Sequence, residues 1–204
     1  IRAFGSDGWW EAWLTINAAR LKSWGFNTIG VGVNNYEDEN AAEYLEKAQI
    51  PFVYTLKKFP RTHVRIFRDF PDVYSKAFAE QAQDFARSQL GGLVGNPYLI
   101  GYFVNNEPEW KVPYINLAER VFAHPERLDS KTALIGWLKE EYGNIEAVNA
   151  RWGRSFKSFE DMYLPIERLD AGTEEAGEDF AKLHALLVEK YITVLKAALS
   201  SVDP

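Results

Sequence analysis

Tyr98-Leu99-Ile100-Gly101-Tyr102-Phe103-Val104-Asn105-Asn106-Glu107-Pro108-Glu109-Trp110 is the stretch on which the reading of this chain turns. Its first seven residues carry no charge, and apolar side chains fall on both faces of the run. That marks a strand inside a parallel sheet, because a surface strand alternates apolar with polar. The run ends on Asn105-Asn106-Glu107, and parallel α/β barrels place their chemistry just past the C-terminal ends of their strands.

Working outward, Trp10, Trp13, Leu14, Ala18 and Leu21 recur at helical spacing and predict a helix over 9–24, ended by Gly25. Residues 27–33 read as a buried strand that ends on Asn34-Asn35. A helix over 39–48 and a strand over 51–56 follow, which is βαβ rhythm. No clear period appears over 57–71, and so long a loop in a compact domain is more often functional than idle. A helix over 72–90 points Phe78, Ala82, Phe85, Ala86 and Leu90 inward, and Gly91-Gly92 stops it. After Trp110 the next helix is delayed. Ser130 to Tyr142 is one helix with Leu134, Trp137 and Leu138 on a face, Asn144 to Trp152 a second, and 174–200 a long last one with Phe180, Leu183, Leu187, Tyr191, Val194 and Ala198 at the contact spacing.

The Asn106-Glu107 pair has a chemical reason to exist in glycoside hydrolysis. One carboxylic acid protonates the glycosidic oxygen while a second carboxylate attacks the anomeric carbon. A neighbouring amide holds the 2-hydroxyl of the sugar as the transition state forms. The plainer alternative is a loop carboxylate that caps the following helix. Glu109 competes for the acid role, or is a rim carboxylate. Trp110 is either a stacking platform for a sugar ring or an anchor for the following segment, and Trp9 and Trp10 either line a cleft or enter the core. Asn34 and Asn35 either touch substrate or serve a turn. Glu140, Glu141 and Glu146 belong to a solvated helical face.

These residues resemble the agarase-type and β-galactosidase-type retaining glycoside hydrolases. Leu21-Lys22-Ser23-Trp24-Gly25-Phe26-Asn27-Thr28-Ile29-Gly30, Ile50-Pro51-Phe52-Val53-Tyr54-Thr55 and Phe70-Pro71-Asp72-Val73-Tyr74 agree best with the agarase branch. Residues 137–153, from Trp137 to Gly153, are similar to a helical insertion of the β-galactosidase branch. The resemblance implies an α/β fold, a partial (β/α)8 TIM barrel holding about strands 2 to 4 with their flanking helices, plus a helical insertion after the fourth strand. Residues 1–204 then form a fragment of a single TIM-barrel catalytic domain, with 111–172 as the insertion on the catalytic rim. It implies Glu107 as general acid/base and Asn106, Trp110, Asn34, Asn35 and Trp9 as substrate-binding residues. The nucleophile would be a second Glu on a late strand outside this chain. The substrate class is galactose-containing poly- or oligosaccharide, such as agarose. Agarase-type sequences usually carry Asp-Asn-Glu where this chain has Asn105-Asn106-Glu107. That departure keeps open a non-catalytic carbohydrate-binding protein with a degenerate barrel, and a phosphorylase or transglycosylase shares all the same residues.

Composition bounds the remaining classes. The chain has 204 residues, 47% of them hydrophobic and 15% aromatic, enough for one substantial core and for a sugar-binding cleft. A net charge of −6 with no long basic block argues against nucleic acid. Lys57, Lys58, Arg61, Arg65 and Arg68 form a local basic stretch, either a solvated loop or a surface facing an anionic sugar such as a sulfated glycan. No apolar run approaches the roughly 20 residues needed to span a bilayer, and no signal-peptide pattern appears. The chain begins at Ile1, so the compartment stays open: secreted or periplasmic for a polysaccharide-degrading enzyme, cytoplasmic for one acting on oligosaccharides. With no cysteine and three scattered histidines, His63, His124 and His184, neither a cofactor nor a metal is expected. The oligomeric state has no signature in the sequence.

Overall fold

The computed structural model describes residues 5–30, 41–57, 59–60, 62–104, 108, 115–166 and 172–204. In chain order its elements are α1 Gly5–Ser23, α2 Ala41–Ala48, β1 Phe52–Thr55, β2 Arg65–Phe67, β3 Phe70–Pro71, α3 Lys76–Leu90, β4 Leu99–Phe103, α4 Leu117–Ala123, α5 Asp129–Tyr142, α6 Ile145–Trp152, a 3-10 helix Phe159–Tyr163 and α7 Glu174–Ser200. They divide into two compact units, one drawn from 1–58, 89–106 and 203, the other from 59–88, 107–202 and 204.

The first unit is a parallel sheet backed by helices. β1 runs parallel to β4, with Tyr54 opposite Tyr102 and Thr55 opposite Phe103. On the other side of β1, Ile29 bridges Phe52 in parallel, through Ile29 N–H to Pro51 O at 2.8 Å and Val53 N–H to Ile29 O at 3.0 Å. This bridge is the described part of the strand expected over 27–33; residues 31–33 lie outside the described residues. Parallel neighbours need a crossover, and the chain from β1 to β4 supplies one through α3.

The core of this unit is Leu14, Ile29, Leu45, Ala48, Ile50, Phe52 and Leu93, with Trp10, Ala18, Leu21, Tyr54, Leu99 and Tyr102 packed against it. α1 stops in a paired arrangement, Gly25 N–H to Lys22 O at 3.1 Å and Phe26 N–H to Leu21 O at 3.0 Å. Gly25 at φ +80 permits it, since a residue without Cβ takes the left-handed region freely. One expected core residue is corrected: Trp13 is 44% exposed. At about 100° per residue it falls on the opposite flank of Trp10 from Leu14 and Ala18.

In the second unit the stretch expected to lack regular structure holds a hairpin, β2 antiparallel to β3 with Phe67 opposite Phe70. Strands of three and two residues are too short to show a period in sequence. The helix expected from 72 begins instead at Lys76, where Ser75 Oγ accepts from Phe78 N–H at 3.1 Å as an N-cap. Asp72 serves another helix. Its carboxylate accepts from Asp129 N–H at 2.9 Å, from Ser130 N–H at 2.8 Å and from the Ser130 hydroxyl. α5 needs that help, because its N-cap Leu128 makes no side-chain cap bond.

α4 and the 3-10 helix have no counterpart among the elements expected from the sequence. α4 is capped by Asn116, whose side chain accepts from Ala118 and Glu119 N–H and donates to Phe180 O at 2.9 Å. His184 Nδ1 accepts from Leu117 N–H at 3.0 Å, and burial pushes the imidazole pKa down, which keeps that nitrogen an acceptor. α6 ends at Gly153, φ +62, and α7 begins at Thr173, whose hydroxyl accepts from Ala176 N–H at 3.1 Å and donates to Arg151 O. Along α7 the buried line runs Phe180, Leu183, Leu187, Tyr191, Leu195 and Ala198, so Leu195 takes the place expected for Val194.

Two features close this unit. Trp152, Phe180 and Phe122 form an aromatic cluster with centroids 4.8, 5.8 and 6.2 Å apart. Beside it the fully buried Asp179 accepts from Tyr142 Oη at 2.8 Å, Arg151 Nε at 2.9 Å and Trp152 Nε1 at 2.9 Å, which ties α5, α6 and α7 together. Burial, then the Asp179 bond, pushes the Tyr142 phenol up to about 12.

Candidate active site

The sheet of the first unit brings its strand ends level. Thr55 stands opposite Phe103, and Leu56 N–H reaches Phe103 O at 3.0 Å one residue past β1. The chain then leaves the C-terminal end of β1 into residues 57–72 and the C-terminal end of β4 into residues 104–116. Lys57 N–H is held by Gln89 Oε1 at 3.0 Å, which fixes where the first of these connections departs.

Within the second connection Val104 and Pro108 are described, both half-buried. Asn105, Asn106, Glu107, Glu109 and Trp110 lie outside the described residues, as do Asn34 and Asn35. Of the residues singled out as substrate-binding, Trp9 is described. It is half-buried in α1, with its ring edge-on to Trp10 at 5.6 Å and 71°. Trp10 in turn stacks on Trp13 at 5.3 Å and 9° and packs against the core. Trp10 is therefore the residue of the pair that packs against the core.

The Tyr102 side chain, on the strand that leads to this connection, is engaged within the first unit. The ring packs against the core and the hydroxyl donates to Asp203 Oδ2 at 2.5 Å. Burial and that carboxylate together raise the phenol well above its ordinary value. Nothing in the sequence flags a bond between residues 101 positions apart. Among the described residues no group of three or more His, Cys, Asp or Glu side chains has the arrangement of a metal site. No helix among them is long and apolar enough to cross a membrane.

The chain can be compared with known proteins over most of its length. A family described as Beta-galactosidase, Glyco_hydro_42, matches residues 50–204. The match includes β1, β4 and the Asn-Glu segment. Beta-agarase B of Vibrio sp. (strain JT0107) is 23% identical over 207 residues, covering 95% of this chain and 21% of that protein. Beta-agarase A of the same organism is 28% identical over 180 residues, covering 78% and 17%. A solved agarase structure superposes with a TM-score of 0.79 at 22% identity, over 98% of this chain and 29% of that one. The fold is thus an α/β fold shared with glycoside hydrolases. The chain spans about a fifth of the length of the curated relatives it matches.

Proposed function

The chain belongs to the glycoside hydrolase family described as Beta-galactosidase, and from that premise we propose that it supplies the acid/base half of a retaining glycosidase acting on galactose-containing poly- or oligosaccharides. The observation that carries this reading is the order of sequence and structure around β4. A strand parallel to β1 leads directly, at its C-terminal end, into Asn105-Asn106-Glu107, inside the matched region. In parallel barrels that is where catalytic groups are borne.

Glu107 is the general acid that protonates the leaving oxygen and then the base that activates water, and Asn106 holds the 2-hydroxyl. Trp9, Trp110, Asn34 and Asn35 are assigned to substrate contact. The three parallel lines of chain at Ile29, β1 and β4 correspond to strands 2 to 4 of the barrel, and residues 111–172 to an insertion after the fourth. The nucleophilic Glu belongs to a later strand. Agarose-like galactans are the favoured substrates, because both named relatives are beta-agarases.

The experiment is leaving-group dependence in the whole protein. Glu107→Gln lowers hydrolysis of galactans, whose leaving group needs the proton, by about 10²–10⁴-fold, while activated aryl galactosides lose far less. If Glu109→Gln shows that split and Glu107→Gln does not, the acid is assigned to the wrong carboxylate. If the unsubstituted whole protein binds galactan without hydrolysing it, the carbohydrate-binding alternative gains.

A further inference from the structure

We propose that the β2–β3 hairpin and α4 form a subsite for an oxyanion on the glycan, a sulfate ester or a carboxylate, with Arg65 and Arg120 as its principal cations and Phe67 as its floor. This rests on the carbohydrate reading above and deepens it. Residues 57–68 carry five Lys or Arg and no Asp or Glu, in a chain whose net charge is −6. Charge segregation alone is ordinary for a solvated loop; the way this segment folds is not.

The hairpin turns the stretch back on itself and α4 meets it. The Arg120 guanidinium lies over the Phe67 ring at 5.3 Å and that of Arg68 at 5.2 Å. Arg65, two residues before Phe67 in β2, is exposed, while Ile66 between them is buried, so Arg65 and Phe67 share the outward face of the strand. Two guanidiniums therefore lie over one half-buried ring, and a third arginine stands on the same strand face. Arg68 holds the turn at φ +50, a left-handed conformation that a bulky side chain adopts at some cost and that Gly or Asn would take more readily.

The neighbouring acids have interactions of their own. Asp72 has its carboxylate turned onto the N-terminus of α5, and Asp69 and Glu119 each have other interactions. Among the described residues neither Arg65 nor Arg120 forms an ion pair with a carboxylate. A planar guanidinium presents paired donors that match the oxygens of a sulfate or carboxylate, and a ring beneath it keeps it oriented.

Chain order fits the role. The hairpin lies in the connection that leaves the C-terminal end of β1, and α4 follows in the connection that leaves the C-terminal end of β4. Such connections build the substrate sites of parallel barrels. Nucleic acid is the disfavoured polyanion here, because the chain carries a net charge of −6 and no long basic block extends this cluster.

The test is calorimetric binding to the whole protein of four probes: a sulfated galactan tetrasaccharide, its desulfated counterpart, a uronate-bearing tetrasaccharide and a single-stranded DNA oligomer. The expected result is a preference of about tenfold or more for one anionic sugar over the neutral one, the worth of one charge-assisted contact, shrinking as salt is raised. Preference for the sulfated probe identifies a sulfate ester as the ligand group, and preference for the uronate a carboxylate. Arg65→Gln with Arg120→Gln abolishes the preference, and Arg120→Lys keeps part of it; both side chains are exposed, and a thermal melt verifies that the variants fold. Equal affinity for charged and neutral sugars, a preference untouched by the substitutions, or DNA binding as tight as the sugar overturns the subsite. Absence of galactan hydrolysis with the preference intact would instead count against the proposed catalysis alone.

Discussion

The two units of this chain hold themselves together by different means. In the first, β1, β4 and the Ile29 bridge make a narrow parallel sheet whose apolar surface is only partly covered: Trp13, Trp24, Phe26, Val94 and Ile100 are exposed. In the second, the exposed large apolar residues among those described are Leu164 and Ile192, and the interior is fastened by buried polar groups. Asp179 joins three helices, Asp72 caps α5 from a distant part of the chain, and Lys131 donates to His124 O at 2.6 Å and Tyr163 O at 3.1 Å. The first unit therefore rests on sheet pairing and apolar packing, and the second adds buried polar bonds between its helices.

The strongest way to break that comparison is Asp179→Ala. It leaves Arg151, Tyr142 and the buried indole of Trp152 without their acceptor, and removing one member of a buried network costs about 3–5 kcal/mol. Denaturant unfolding should show that loss, with hydrogen-exchange protection falling in α5, α6 and α7 first. A loss below about 1 kcal/mol would mean the network is incidental. Next in size, Leu183→Ala on the buried line of α7 is expected to cost about 2–5 kcal/mol, whereas Trp24→Ala, at a side chain 68% exposed, changes stability by less than about 0.5 kcal/mol.

Lys131 sharpens the comparison through pH. It is fully buried with two carbonyl acceptors, and burial lowers its pKa from 10.5 to about 8. Below about pH 8 both folded and unfolded states hold the proton. Between there and about 10.5 the unfolded chain binds it and the folded chain does not, so this group makes stability rise with pH over that window. Tyr142 acts oppositely: its phenol is held protonated up to about 12 when folded, so its contribution is lost as pH climbs above the ordinary tyrosine range. Urea midpoints from pH 7 to 11 should rise and then fall, and Lys131→Met should remove the rise. A rise that persists in the variant would place its origin elsewhere. A smaller loss than for the buried substitutions, about 1 kcal/mol, is expected for Gly153→Ala in the left-handed cap of α6, with the new Cβ 3.4 Å from Thr173 Cγ2 adding little.

Much of this architecture was legible from the residues. α7 runs over the residues expected because a Thr cap, two acids in its first turn and a steady apolar stripe all agree. α3, α5 and α6 were found by the same periodicity, and β1 and β4 by their uninterrupted apolar runs. The fastenings were not legible. Asp72, Lys131 and Asp179 look like surface charges in sequence, since what buries them is contributed by residues far along the chain. The hairpin was missed because its strands are shorter than any period, and α4 because Asn116 capping needs no long apolar stripe behind it. The Asn-Glu motif was visible as chemistry from the start, and its family was visible from the flanking segments. The nucleophile that the proposed mechanism requires has no comparable motif in these residues.

The most direct measurement of the central claim is the product formed by the whole protein carrying Glu107→Gln, given an activated aryl β-galactoside and sodium azide. If Glu107 is the acid/base of a retaining enzyme, the glycosyl-enzyme still forms but lacks a base to activate water, so azide attacks it and β-galactosyl azide accumulates with a restored rate. An α-configured azide would contradict retention. No azide adduct and no rate recovery, with hydrolysis by the variant equal to that of the parent protein, would remove Glu107 from the reaction.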